Sequence, residues 1–144
     1  MTHIEYFKLQ AKRLFKDYKT RTPYLDEIIN DYLYEYRPQY FDIEQIILSY
    51  EIDEDNFSLM KAQHIIALMV GFNKWPDLLK ASEFELELAK LLMDNYDKVY
   101  VEDWEMYIAD VERDNNISID PQSKLEIFKQ VFLSIESESS HIIF

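Results

Sequence analysis

An all-α fold is what this sequence predicts, and three observations carry the prediction. The 144-residue chain holds one glycine and four prolines, too few for the many tight turns of a β-sandwich or barrel. Apolar residues recur at helical spacing behind hydroxyl or carboxylate capping residues in several stretches. Third, the stretch Ser58 to Ala81, SLMKAQHIIALMVGFNKWPDLLKA, reads as a helix, a tight corner and a second helix around which the other segments pack. We expect a single-domain bundle of six to seven helices over 1–137, with 138–144 a C-terminal tail.

The elements follow in order. The first helix starts at Thr2, with Glu5 completing a capping box. It buries Tyr6 or Phe7, Leu9 or Gln10, Ala11, Leu14 and Phe15, leaves Lys8, Lys12, Lys16 and Lys19 on its outer face, and ends before Pro23, which disfavours helical geometry at Thr22. Residues 23–41 are harder to assign. Tyr24 to Ile29 can open a helix behind Pro23, whereas Tyr32-Leu33-Tyr34-Glu35-Tyr36 alternates like a short strand. The expectation is a helical turn followed by irregular chain. Asp42 and Gln45 cap a short helix through Tyr50, and the acidic run 51–56 leads to Ser58, the N-cap of the central hairpin.

Gly71 supplies the corner of that hairpin, because a residue without Cβ adopts a left-handed helix stop at no steric cost. Asn73 caps the second helix, Pro76 sits in its first turn, and Phe72, Trp75, Leu78 and Leu79 fold inward. Ser82 with Glu85 forms another capping box, opening a helix to about Asn95 with Phe84, Leu88, Leu91 and Leu92 on its core side. A helix from Val101 to about Arg113 turns Trp104, Ile108 and Val111 inward. Asp120-Pro121 launches a last helix to about Ile135 through Leu125, Phe128, Val131 and Phe132.

Composition bounds the function. The absence of cysteine excludes disulfides, thiol catalysis and cysteine-based metal centres. A single glycine cannot build a P-loop or a dinucleotide turn. No GxSxG or HExxH motif is present, and the acidic runs at 53–56 and 110–116 lack the glycine and glutamate that an EF-hand requires. No catalytic residue, cofactor or metal site is therefore expected. The chain lacks an apolar run long enough to span a membrane, and MTHIEYFKLQAKR lacks the apolar core of a signal peptide. A cytoplasmic location is expected.

A net charge of −13 opposes contact with nucleic-acid phosphates or anionic membranes. The corner-containing hairpin is accordingly not read as a DNA-binding helix-turn-helix, since its second helix is dominated by Trp75, Leu78 and Leu79. The charge is uneven: residues 1–22 carry six basic and two acidic side chains, and residues 25–56 ten acids against Arg37 alone. A basic first helix lying against acidic neighbours within the fold is the simpler expectation; an exposed positive stripe is the alternative.

The pattern Ala62-Gln63-x-x-Ile66-Ala67-x-x-x-Gly71-Phe72-x-x-Trp75-x-x-Leu78 resembles the core of the glyoxalase-related domain, a small helical bacterial family. Leu9-Gln10-Ala11-Lys12-Arg13-Leu14 resembles the basic helix that precedes that core. The resemblance covers about 30 residues in the two segments and implies a helical module. It brings no catalytic residue.

Tyrosine stands out among the remaining residues. Eleven are present, and Tyr24, Tyr32, Tyr34, Tyr36, Tyr40 and Tyr50 cluster in the acid-rich stretch. Tyrosine offers large contact area with a polar tip and is favoured at interfaces, although the same rings also roof helical cores. The expected function is a non-catalytic protein–protein interaction module whose tyrosines and acids suit a partner with a basic surface. One alternative is an acidic nucleic-acid mimic that fills the basic groove of a DNA-binding protein; another is a small-molecule binder or enzyme around His64.

Overall fold

A computed structural model of the protein describes residues 1–133. The expected end of the last helix at Ile135 and the 138–144 tail lie outside the described residues. Among the described residues are seven α-helices and one pair of strands: α1 His3–Tyr18, β1 Thr22–Asp26, β2 Asp31–Glu35, α2 Ile43–Ser49, α3 Leu59–Met69, α4 Trp75–Leu79, α5 Glu83–Asp94, α6 Val101–Asn115 and α7 Pro121–Phe128. A π-helical turn, Lys129–Leu133, follows α7. No described helix is long and apolar enough to cross a membrane.

The all-α expectation holds for most of the chain and fails at 22–35, where β1 and β2 pair antiparallel. The cause is local. Asp26 Oδ1 accepts the N–H groups of Ile28 and Ile29, at 2.9 and 3.4 Å, in an Asx turn that competes with helix initiation. Asn30 then adopts a left-handed conformation, φ 53°, and reverses the chain. The helical turn expected at Tyr24–Ile29 is thereby replaced by a strand and a four-residue loop. Aromatic Tyr32 and Tyr34, alternating with Leu33, favour the pleated partner strand.

The described residues group into two compact units, one of residues 5–66 with Met1 and one of residues 2–4 and 67–133. The division falls within α3, between Ile66 and Ala67. In the first unit Phe7, Ala11 and Leu14 of α1 and Ile43 and Ile46 of α2 are buried, as are Ala62 and Ile66 of α3. Asp42 caps α2 by accepting the Gln45 N–H. Asp17, on the last turn of α1, is the exception in this apolar interior: it is 1% exposed. Its carboxylate accepts three backbone N–H groups, from Gln39 at 2.8 Å, Tyr40 at 2.9 Å and Phe41 at 2.7 Å. A buried carboxylate so bonded holds the 37–42 segment in place, since charged acceptors make the stronger hydrogen bonds.

In the second unit α5 packs against α7. The Ser82–Glu85 capping box forms as expected, and Asp120 caps α7 through the Ser123 N–H at 2.8 Å. Trp104 meets Phe128 edge-on at 5.1 Å and Phe132 at 5.5 Å, and Phe128 stacks on Phe132. Three expectations are corrected here. Lys74, not Asn73, is the N-cap of α4, and its side chain makes no capping hydrogen bond. Leu79 and Phe84 are 40% and 42% exposed; the buried face of α5 is instead Leu86, Leu88, Ala89, Leu92 and Met93. Adjacent side chains point about 100° apart on a helix, and Leu78 alone of α4 is buried.

Three helices end in the same way. The Gly71 N–H bonds the Leu68 carbonyl while the Phe72 N–H bonds that of Ala67, a Schellman stop with Gly71 at φ 92°. Asn116 (φ 51°) closes α6 by the same pair of bonds, to Arg113 and, through Ile117, to Glu112. Glu51 (φ 51°) closes α2, with bonds to Leu48 and, through Ile52, to Ile47. Gly71 also faces α6: a Cβ there would lie 3.1 Å from Glu105 Oε1 and 3.5 Å from Val101 Cγ2.

Candidate interaction surface

The strand pair projects its apolar residues rather than covering them. Register pairs Thr22 with Glu35, Pro23 with Tyr34, Tyr24 with Leu33, Leu25 with Tyr32 and Asp26 with Asp31. Cross-strand partners share a face, so Tyr24 and Leu33 lie on one side and Leu25 and Tyr32 on the other. Both sides are exposed: Tyr24 45%, Leu33 38%, Leu25 49% and Tyr32 65%, with Ile28 and Ile29 of the loop at 95% and 56%. A two-stranded arm with neither face covered is marginal in water on its own.

Its base, by contrast, is clasped by the acidic loop. The Tyr36 hydroxyl donates to Glu54 Oε2 at 2.6 Å, the Tyr34 hydroxyl to Asp55 Oδ1 at 2.7 Å, and the Tyr18 hydroxyl to the Glu54 carbonyl at 2.5 Å. Arg21 donates to the same carbonyl. Its guanidinium lies over the rings of Tyr34 and Tyr18, 4.5 and 5.0 Å from their centroids, and 3.7 Å from Asp55. Phe57 meets Tyr18 edge-on at 4.9 Å. Burial, and then the hydrogen bond to Glu54, push the Tyr36 hydroxyl far above its ordinary pKa. The hydrogen bond to Asp55 raises that of Tyr34. Both rings are therefore neutral donors, and Glu54 and Asp55 serve as structural acceptors rather than a free acidic patch.

The six tyrosines of the acid-rich stretch thus separate. Tyr24 and Tyr32 stand exposed on the arm; Tyr34 is half-buried at its base; Tyr36 is buried at 8% exposure. Tyr50 is half-buried at the end of α2. Tyr40 lies apart, with Arg13 and Lys16 over its ring at 4.8 and 5.8 Å. The apolar residues that accompany Tyr24 and Tyr32 on the arm, Leu25, Ile28, Ile29 and Leu33, escape a reading that takes this segment as helix. The available signal was an Asp and an Asn bracketing a short loop between aromatic runs.

The hairpin motif residues fall largely inside. Ala62, Ile66 and Leu78 are fully buried, Gln63, Phe72 and Trp75 are half-buried, and His64 faces solvent. Of the basic residues in 1–22, Arg21 lies against the acidic loop, 3.7 Å from Asp55, whereas Lys8, Lys12, Lys16 and Lys19 are exposed. Among the described residues none of these lysines makes an ion pair. Lys19 lies over the Phe15 ring at 4.5 Å. Among the described residues no group of three or more His, Asp or Glu is placed to hold a metal. Comparison with known proteins finds no matching family model, no matching curated protein and no matching solved structure.

Proposed function

We propose that the protein is a non-catalytic interaction module whose contact surface is the 22–35 arm. One observation carries the reading: large apolar side chains are exposed on both faces of a strand pair whose base is fixed by the Arg21, Tyr34, Tyr36 and Glu54 contacts. Clustered exposed apolar residues on a soluble chain mark interaction sites, and a fixed base lowers the ordering cost of binding. The partner has a basic surface, because the arm carries Asp26, Glu27, Asp31 and Glu35 and no basic residue. The glyoxalase-related likeness fits this reading as a helical module with an arm inserted between its basic helix and its core hairpin. The exposed positive stripe of α1 disfavours a phosphate mimic built on the 25–56 acids, which needs an unbroken negative face in the unit of residues 5–66.

The test is affinity capture with the full chain, at low and high salt and after nuclease treatment, beside a Tyr24→Ser/Tyr32→Ser variant. Both positions are solvent-exposed, so the variant keeps the wild-type fold, which circular dichroism verifies. A single identified protein captured by wild type, lost in the variant and weakened by salt supports the reading. A partner that duplex DNA displaces, or capture indifferent to the two substitutions, overturns it.

A further inference from the structure

We infer that the free edge of β2 accepts an extended segment of a partner protein as a third strand, and that this segment is an aliphatic run with a basic residue at each end. The inference rests on the interaction reading above and adds to it the mode of contact and the chemistry of the partner.

The strand edges differ. Pro23 has no N–H, so it fits β1 only with its nitrogen turned away from β2. Ladder geometry alternates inward and outward pairs. With Pro23–Tyr34 an outward pair, Leu25–Tyr32 is outward as well, and the N–H and C=O groups of Tyr32 and Tyr34 point away from β1. An independent contact agrees: the Tyr32 N–H donates to Asp31 Oδ1 at 2.7 Å, not to the opposite strand. β1 therefore presents an edge blunted by proline, whereas β2 presents the outward main-chain groups of Tyr32 and Tyr34, with the Tyr32 N–H held by its neighbour Asp31. Among the described residues the sheet has no third strand. Main-chain pairing of this kind is how extended peptides add to exposed sheet edges.

The side chains of β2 then specify the guest. Asp31, Leu33 and Glu35 alternate with Tyr32 and Tyr34, so a strand alongside meets acid, leucine, acid on one face and two tyrosines on the other. The complement is basic–aliphatic–basic opposite the first set and aliphatic at the two intervening positions, a Lys-Val-Ile-Val-Lys pattern. It reads the same in either direction, so parallel and antiparallel addition select the same sequence. The incoming lysine takes the Asp31 carboxylate and releases the Tyr32 N–H for the new ladder. A second copy of the chain fits poorly. Twofold antiparallel pairing of β2 about Leu33 sets Asp31 opposite Glu35 at both ends, and like charges directly opposite are destabilising.

The experiment uses the full ¹⁵N-labelled chain and three labelled peptides with cores Lys-Val-Ile-Val-Lys, Glu-Val-Ile-Val-Glu and Lys-Val-Pro-Val-Lys. The lysine peptide is expected to slow amide exchange at Tyr32 and Tyr34 by about tenfold or more. It is expected to bind at least roughly tenfold more tightly than the other two at low salt. In an Asp31→Asn/Glu35→Gln variant the preference for lysine over glutamate disappears while the proline peptide stays weak. Equal binding of the acidic peptide, or binding that leaves the Tyr32 and Tyr34 amides unprotected, overturns strand addition. So does protection that appears without peptide as protein concentration rises. A captured partner that needs Tyr24 and Tyr32 yet leaves both amides unprotected overturns strand addition alone and leaves the interaction module standing.

Discussion

Replacing Asp17 by alanine removes the acceptor of three backbone N–H groups at 2.7–2.9 Å from a site that is 1% exposed. A hydrogen bond to a charged group contributes about 1.5–3 kcal/mol, and an unsatisfied buried donor costs about 1–3 kcal/mol. Water reaches the exposed residues Gln39 and Tyr40 after truncation, so their donors are partly resatisfied. The Phe41 donor, in a buried residue, is not. The expected loss is therefore about 3–5 kcal/mol, less than three full bonds and more than one, and large against a total stability of about 5–15 kcal/mol. With a urea dependence of about 2 kcal/mol per molar, the unfolding midpoint falls by roughly 1.5–2.5 M. Asp17→Asn keeps the shape and one oxygen but turns an NH₂ group toward a donor, and is expected to lose about 2–3 kcal/mol. Urea titration followed by far-ultraviolet circular dichroism measures both variants. A loss under about 1 kcal/mol for Asp17→Ala, or wild-type behaviour of Asp17→Asn, refutes the claim that this carboxylate holds the 37–42 segment.

Further outcomes follow from other sites. Glu51→Gly relieves a left-handed conformation costing about 1–2 kcal/mol and gives back part of that in unfolded-state entropy, so it stabilises by about 0.5–1 kcal/mol in thermal or urea unfolding. Gly71→Ala does the reverse: at φ 92°, with Glu105 Oε1 at 3.1 Å from the new Cβ, it destabilises by about 1–2 kcal/mol or more. The Tyr36 pKa is raised in the folded chain, so its contribution is complete below the ordinary value of 10.0 and is lost as pH rises through the folded value. Tyrosinate absorbance of wild type minus Tyr36→Phe is accordingly expected to appear only with unfolding. Hydrogen bonds from Ser123 lower the Asp120 pKa below 3.8. The stability difference between wild type and Asp120→Ala is full above that value and vanishes as pH falls through the folded one; a difference that persists in strong acid contradicts the capping role.

What the sequence made legible was whatever a short window encodes. The Ser82–Glu85 box, the Asp42 and Asp120 caps and the Gly71 stop each depend on residues a few positions apart, and each forms where expected. The strand pair escaped because Pro23 before Tyr24-Leu25-Asp26 is equally a helix opening, and only the Asp26 side chain bonding forward to Ile28 and Ile29 decides the matter. Leu79 and Phe84 escaped because helical periodicity gives a direction but not the extent of the neighbouring surface that covers it. Asp17 was invisible for a different reason: its three donors lie 22 to 24 residues away, and no local pattern marks a carboxylate for burial. The tyrosine cluster was a compositional signal, which says nothing of how six rings divide between core, base and exposed arm.

The placement of the aromatic residues has an optical consequence. Trp75 and Trp104 both fall in the unit from Ala67 onward, whereas eight of the eleven tyrosines precede it, the arm tyrosines among them. Indole emission therefore reports on one unit, and phenol absorbance and emission report mainly on the other. The protein carries a natural two-colour label, with no probe to attach and no residue to replace. Superimposed indole and phenol unfolding curves would mean that the two units melt as one; separated curves would give each its own midpoint, and ligand added to the arm would move the phenol curve first.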